Sequence, residues 1–303
     1  MAAATAAPVE PAAVGGPGCA RRDRARAGRR GVRTMGMPPE LTVRGRIAAT
    51  LRRRRRGSGF WFGLAIAVIW PIVLWGTRLG WRGAEHLPRT GGALLVGNHV
   101  SFSDPIFDIA FGTTHGRIPR FMAKGELWDV PVVKWVLGQG GHIPVYRASK
   151  RVGESFTGAI DALSRGEVVA VYPEGTYTAD PEGWPMRPKN GVARIALRSV
   201  APVIPMANWG TQDFLPAEGR PKLFPRKRIG IALGPPVDLS EFAGKPLTRT
   251  TLDAATKKIM DEVTTLLEGL RDETRPATPY DPELGARPEA PGEPVEGPGR
   301  AAS

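Results

Sequence analysis

Ala93-Leu94-Leu95-Val96-Gly97-Asn98-His99-Val100-Ser101-Phe102-Ser103-Asp104-Pro105 carries both the architecture and the chemistry of this chain. Its first four residues form a short apolar run of the kind that makes a buried strand. Gly97 permits an unusual backbone at the strand end. Asp104 has the character of a helix cap with Pro105 at the first helical position, which predicts a helix over 104–112. Working outward, apolar runs at 141–146, 168–172, 202–207 and 229–233 predict further strands. Helices are predicted at 127–138, 150–165, 190–199 and 250–272. In the second of these, Val152, Phe156, Ile160 and Leu163 recur at helical spacing and Gly166 ends the pattern. Strands alternating with helices predict an α/β fold with a mostly parallel central sheet flanked by helices.

The charge is unevenly spread. The chain of 303 residues has a net charge of +13, and residues 1–58 hold fourteen arginines against Glu10, Asp23 and Glu40. That arm alone is +11 and the remainder only +2. Its Ala, Gly, Pro and Arg content predicts a disordered arginine-rich arm over 1–58. Such an arm invites a nucleic-acid reading, but the sequence that follows it points to lipid, and no nucleic-acid partner is expected. Residues 273–303 are rich in Pro, Gly and Glu and predict a disordered tail. The single cysteine, Cys19, excludes an intramolecular disulfide and leaves the central region without a thiol nucleophile.

Residues 59–80 begin with an uncharged apolar stretch, Gly59 to Gly76. Its length is at the lower edge of what a membrane span needs, about 17–25 residues. Arginines 52–56 flank one side, and Arg78 and Arg82 the other. With both flanks basic, a helical segment dipping into one leaflet is favoured over a simple span. Trp61, Trp70, Trp75 and Trp81 suit the membrane–water boundary. The arginine run would attract anionic lipids at roughly 1 kcal/mol per basic residue. The segment therefore predicts an N-terminal membrane-associated helical element; a buried core helix is the alternative.

His99 and Asp104 stand five positions apart across a turn. That spacing allows the carboxylate to reach one imidazole nitrogen, fix the tautomer and stabilise the imidazolium, leaving the other nitrogen as a general base. No serine or cysteine nucleophile accompanies them, so the nucleophile would be a substrate hydroxyl. Tyr172-Pro173-Glu174-Gly175-Thr176 follows another strand, and strand-end loops are where open α/β sheets bind ligands. Glu174 beside a phosphate would be unfavourable; it is expected to orient a basic side chain or a substrate hydroxyl. Arg147 follows Ile143-Pro144-Val145-Tyr146, and Arg147, Lys124, Lys189 and Arg194 are candidate phosphate ligands. His86, His115 and His142 lack ligand spacing, and no metal is expected.

Asn98-His99-x₄-Asp104, Ile143-Pro144-Val145-Tyr146-Arg147, Tyr172-Pro173-Glu174-Gly175-Thr176 and Pro202-Val203-Ile204-Pro205 occur in this order. The combination resembles the glycerolipid acyltransferases typified by 1-acyl-sn-glycerol-3-phosphate acyltransferase, over roughly Trp70 to Val237. The resemblance implies an acyltransferase domain over 81–272. It implies acyl transfer from acyl-CoA or acyl carrier protein, without a cofactor, to the sn-2 hydroxyl of a lysophospholipid acceptor. It further implies phosphatidic acid as product and a peripheral or monotopic site at the cell membrane, on the cytoplasmic side. By position, His99 is the general base and Asp104 its partner. Lys124, Arg147, Glu174, Gly175 and Thr176 are then the substrate-binding residues, and Pro205 lies in the fourth motif. The third motif often continues with arginine, and here Tyr177 stands there. Another lysolipid or lipid-linked hydroxyl, or a catalytically silent lipid-binding relative, are the alternatives.

Overall fold

A computed structural model describes residues 36–52, 59–146 and 152–288. Expectations for residues 1–35, for the Arg53–Arg56 run, for Arg147 and for residues 289–303 lie outside the described residues. The strands are β1 (Arg78–Arg82), β2 (Ala93–Gly97), β3 (Pro119–Lys124), β4 (Ile143–Val145), β5 (Val168–Val171), β6 (Val203–Trp209) and β7 (Arg228–Leu233). They form one sheet in the order β1-β7-β6-β2-β5-β3-β4. From β6 to β4 all neighbours are parallel; β7 is antiparallel to β6, and β1 is parallel to β7. The central sheet is thus mostly parallel, as the alternation of elements predicts.

Helices cover both faces. On one lie α2 (Phe60–Gly76) and α3 (Asp104–Thr114), with α1 (Val43–Arg52) and α4 (Pro131–Gln139) beside them; on the other lie α5 (Val152–Ser164), α6 (Gly191–Ala196) and α8 (Arg249–Arg271). A short α7 (Thr211–Phe214) follows β6. β2 serves both faces: Ala93 and Leu95 join the α2–α3 core, whereas Leu94 and Val96 join that of α5, α6 and α8. A strand buried on both sides reads as an unbroken apolar run, which is why β2 was legible.

Two strands were not expected. Arg78-Leu79-Gly80-Trp81-Arg82 has arginine at both ends and lies at the sheet edge, and Pro119-Arg120-Phe121-Met122-Ala123-Lys124 interleaves cations with its apolar residues. The apolar segment therefore ends at Gly76, and residues 78–80 belong to the sheet. The predicted helix 127–138 is divided: a 3₁₀ turn covers Gly125–Asp129, and α4 starts at Pro131.

The arm and tail need correction as well. Residues 36–52 of the arm carry α1, and Leu41 donates its N–H to the Leu79 carbonyl at 2.8 Å. Arg46 is buried, donating to the carbonyls of Leu41 and Thr77. Residues 273–288 of the tail return to the domain. Tyr280 bridges Met186, Arg187 pairs with Asp281 at 2.9 Å, and Arg287 pairs with Asp180 at 2.6 Å. Proline-rich composition hid these contacts because they are made with residues about a hundred positions away.

α2 is 17 residues long with Pro71 inside it. Phe62, Ile66, Trp70, Val73 and Leu74 bury one side against the sheet and α3, each contributing roughly 1.5–3 kcal/mol relative to exposure. No helix among the described residues is long and apolar enough to cross a membrane.

Candidate active site

The site forms where β2 gives way to α3. Asn98 extends strand pairing with its side chain: its amide donates to the Asn208 carbonyl at 3.0 Å and its oxygen accepts the Asn208 N–H at 2.8 Å. His99 follows on a backbone tied at both ends. Its N–H donates to Glu174 Oε1 at 2.9 Å, and its carbonyl accepts the Thr178 N–H at 2.7 Å. The chain then turns so that Asp104, at the start of α3, comes back onto the imidazole.

His99 Nδ1 and Asp104 Oδ2 are 2.8 Å apart. The same Oδ2 accepts the N–H groups of Val100 at 2.8 Å and Ser101 at 3.0 Å, and Oδ1 accepts the Thr211 hydroxyl. Asp104 is fully buried with both oxygens satisfied by donors. It is more than a helix cap, because its carboxylate fixes the turn and the ring together. With the Nδ1 proton directed at the carboxylate, Nε2 presents its lone pair. That atom makes no hydrogen bond among the described residues, and the side chain is 12% exposed. Tyr172 stacks flat on the ring, and Tyr177 meets it edge-on while packing against Phe102.

Glu174, expected to bind substrate, is held by backbone donors. It is buried, and its two oxygens accept the N–H groups of His99 and Met186. Burial pushes its carboxyl up to about 8, against the pull of those two amides. It ties the two loops together and also lines the cleft against α8. Gly175 turns the chain at φ +78°, a conformation that side-chain-bearing residues rarely adopt. Thr176 follows it, half-buried.

The cationic candidates divide. Lys124 is exposed at the carboxyl end of β3, two strands from β2 and on the same edge of the sheet as His99. Arg147, just past β4, is not described. Lys189 lines a cleft against α8 that Glu174 also lines, and Arg194 lies over the Phe156 ring. Sequence reasoning missed Asp108 and Asn208, which lie buried behind the site. The signal available was the spacing of Asp104 and Asp108, four apart on one helix face.

Beside the site, α2, α3, β3 and α4 enclose an apolar hollow of about 250 Å³. Pro105, Ile106 and Ala123 line it near the carboxyl ends of the strands, and Phe62, Phe121 and His142 line it farther in. His142 accepts the Phe121 N–H at 2.9 Å, and burial, with Arg120 nearby, lowers its pKa to about 4. The imidazole therefore stays neutral and suits an apolar lining.

The family model described as Acyltransferase matches residues 78–209. The 1-acyl-sn-glycerol-3-phosphate acyltransferase of Bacillus subtilis is 28% identical over 179 residues, covering 59% of this chain and 83% of that protein. The chloroplastic 1-acyl-sn-glycerol-3-phosphate acyltransferase BAT2 of Brassica napus is 28% identical over 137 residues, 45% of this chain. An uncharacterized protein of Mycobacterium tuberculosis is 27% identical over 226 residues, 65% of this chain. The matches span only 38% of the Brassica protein and 58% of the mycobacterial one. The crystal structure of the 1-acyl-sn-glycerophosphate acyltransferase PlsC from Thermotoga maritima shares the fold. Its TM-score is 0.50 at 21% identity, over 74% of this chain and 82% of that one.

Proposed function

We propose that this chain, which matches the Acyltransferase family model over residues 78–209 and is similar to 1-acyl-sn-glycerol-3-phosphate acyltransferases, moves a fatty acyl group from an acyl thioester to the sn-2 hydroxyl of 1-acyl-glycerol-3-phosphate. The product is phosphatidic acid, a phospholipid precursor. His99 Nε2 takes the hydroxyl proton as the oxygen attacks the thioester carbonyl. The imidazolium is stabilised by the Asp104 side chain on Nδ1. Collapse of the tetrahedral intermediate breaks the carbon–sulfur bond, and the imidazolium proton goes to the departing thiolate. The hollow between α2, α3 and α4 takes the acyl chain. Lys124 and Arg147 draw the acceptor phosphate to the same sheet edge, with Gly175 and Thr176 as further acceptor contacts. Acyl-CoA and acyl carrier protein are the two candidate donors.

The observation that carries this reading is the 2.8 Å His99–Asp104 contact, which leaves Nε2 without a hydrogen bond among the described residues; Pro105, next to Asp104 in the chain, lines the apolar hollow. A membrane position follows from the outward side of α2, where Phe60, Trp61, Leu64, Val68, Ile72 and Trp75 are exposed. Lipid there brings the acceptor to the site, on the cytoplasmic side where thioester donors are made. A second acceptor class, another lysolipid or a lipid-linked hydroxyl, is favoured by one feature: the aromatic pair Tyr177–Phe102 stands beside His99.

The test is transfer from labelled acyl-CoA and labelled acyl carrier protein to lysophosphatidic acid, with other lysolipids in parallel. His99→Ala should lower turnover by about 10²- to 10⁴-fold. Equal turnover in wild type and His99→Ala would sink the mechanism, and release of free fatty acid without acceptor consumption would identify a thioester hydrolase.

A further inference from the structure

Asp108 and Tyr172 take no part in the proton transfer described above, yet both lie against its centre. Asp108 sits one turn beyond Asp104 on the inward face of α3 and is buried. Its Oδ2 accepts the Tyr172 hydroxyl at 2.5 Å and the Asn208 side-chain amide at 3.2 Å. The Tyr172 ring lies flat on the His99 imidazole, with centroids 4.3 Å apart and planes within 11°. Phe121 packs on the same tyrosine ring at 5.6 Å.

An imidazole held only through Nδ1 can still tilt about that hydrogen bond, carrying Nε2 out of line with the attacking hydroxyl. A ring stacked on its face removes that freedom, provided the ring is itself fixed. Tyr172 is fixed at its far end by Asp108, which α3 holds in register with Asp104. The geometry points to Tyr172, anchored by Asp108, as a positioning residue that sets the plane of the His99 ring. The inference rests on the acyl-transfer reading for its kinetic consequence, though not for the geometry.

Asp108 anchors best as a neutral acid. Its Oδ1 and the Oδ1 of Asn208 are both buried with no hydrogen-bond partner among the described residues. A proton on Asp108 supplies a donor in a cluster that has two unmet acceptors. Burial pushes this carboxyl well above the usual range, opposed by the Tyr172 hydrogen bond and reinforced by the Asp104 charge. The other titratable groups facing His99 are Asp104 from α3, Tyr172 at the end of β5, and Glu174 and Tyr177 from the loop after it. With Asp108 neutral, the charge of Asp104 acts on the imidazolium without a second buried anion behind it.

The experiment combines steady-state kinetics with nitrogen-15 spectra of the histidine rings, which need no substrate. Tyr172→Phe keeps the ring and loses the anchor; its kcat should fall about tenfold with KM for both substrates within about twofold. Asp108→Ala should match it, and the double variant should be no worse than either single, since all three remove one interaction. Asp108→Asn, uncharged and of equal size, should restore kcat to within about twofold of wild type. In the spectra, the wild-type His99 ring should give one narrow pair of nitrogen signals with its proton on Nδ1, held there by Asp104, and Tyr172→Leu should broaden that pair as the ring tilts, with the proton still on Nδ1.

Should Asp108→Ala fail to fold, Tyr172→Phe decides alone. Wild-type kcat in Tyr172→Phe together with ring signals as narrow as wild type in Tyr172→Leu would overturn the proposal, as would additive losses in the double variant. An Asp108→Asn protein as impaired as Asp108→Ala would overturn the neutral anchor. If wild type acylates no lysolipid, the acyl-transfer reading fails while the ring spectra still decide the positioning.

Discussion

α2 and α8 both lie along the central sheet, one on each face, and they solve the same packing problem with different sequences. α8 has an apolar stripe of Leu252, Ile259, Val263, Leu267 and Leu270 against the sheet, and ion pairs such as Lys257–Asp261 and Lys258–Glu241 outside it. Its surroundings on the two sides are sheet and water. α2 also buries one stripe, but its outer side repeats the chemistry of the inner one, and none of its 17 residues is charged. A helix with no polar side has no use for water on either face. The difference teaches that the sheet accounts for only half of the α2 sequence. For the other half, whose side chains are exposed, a lipid surface is the proposed partner.

The sharpest way to break this comparison is to give α2 the outer face of α8. Replacing Leu64, Val68 and Ile72 by glutamine alters exposed positions one turn apart and leaves the core untouched. If the bilayer buries these three side chains, the loss should be about 5 kcal/mol, or a partition onto vesicles weaker by roughly 4 × 10³-fold. The variant should retain its thermal stability in detergent-free buffer. Undiminished sedimentation with vesicles would show that the outer side of α2 meets something other than lipid.

A second test exploits the inner side of α2, where Phe62 packs on His142 at 5.6 Å. The folded-state pKa of His142 is lowered to about 4 from 6.5 by burial and by Arg120. A depressed histidine contributes stability that is full above pH 6.5 and is lost as the pH falls from there through 4. The loss amounts to about 3 kcal/mol. Glu174 has the opposite sign: its raised pKa of about 8 favours the folded state at low pH and disfavours it as the pH rises from 4.5 through 8. The two must be separated by difference. His142→Asn keeps an acceptor for the Phe121 N–H and cannot titrate. Urea midpoints of wild type and His142→Asn should therefore converge on acidification, and parallel curves between pH 7 and 4 would exclude His142 as the acid-sensitive support of α2.

The parts of the fold that were legible in the sequence share a physical cause: each is decided by residues close together in the chain. β2 and β5 read as strands because both faces bury apolar side chains, and α3 and α8 read as helices from their caps and stripes. The His99–Asp104 half of the site was legible for the same reason, since five positions and one turn hold it. β1 and β3 were hidden by Arg78, Arg82, Arg120 and Lys124, cations that their positions in the sheet tolerate. The role of Glu174 was hidden further. The N–H it holds belongs to a residue 75 positions earlier, and nothing local distinguishes a carboxylate bound to two amides from one awaiting a substrate. The Tyr172–Asp108 contact, across 64 positions, was invisible for that reason too.

The same contrast between local and distant support recurs at the first turns of the two helices. α8 carries its own cap: the Thr248 hydroxyl oxygen accepts the Thr251 N–H at 3.2 Å. α2 begins at Gly59, which has no side chain to cap with, and the Trp61 N–H is met instead by the side-chain oxygen of Gln139 at 2.7 Å, from the end of α4. Thr248→Ala should cost about 1 kcal/mol of global stability and leave the hollow, and hence turnover, unchanged. Gln139→Ala leaves an α2 amide without its partner and should cost a similar amount. Here, however, the loss also loosens the joint between α2 and α4, two walls of the hollow, so turnover should fall along with stability. Urea unfolding and acyl-transfer assays on the two variants separate the cases. Equal turnover in both at matched stability would mean that α2 is as self-contained as α8, and that its resemblance to a locally specified helix runs deeper than its sequence suggests.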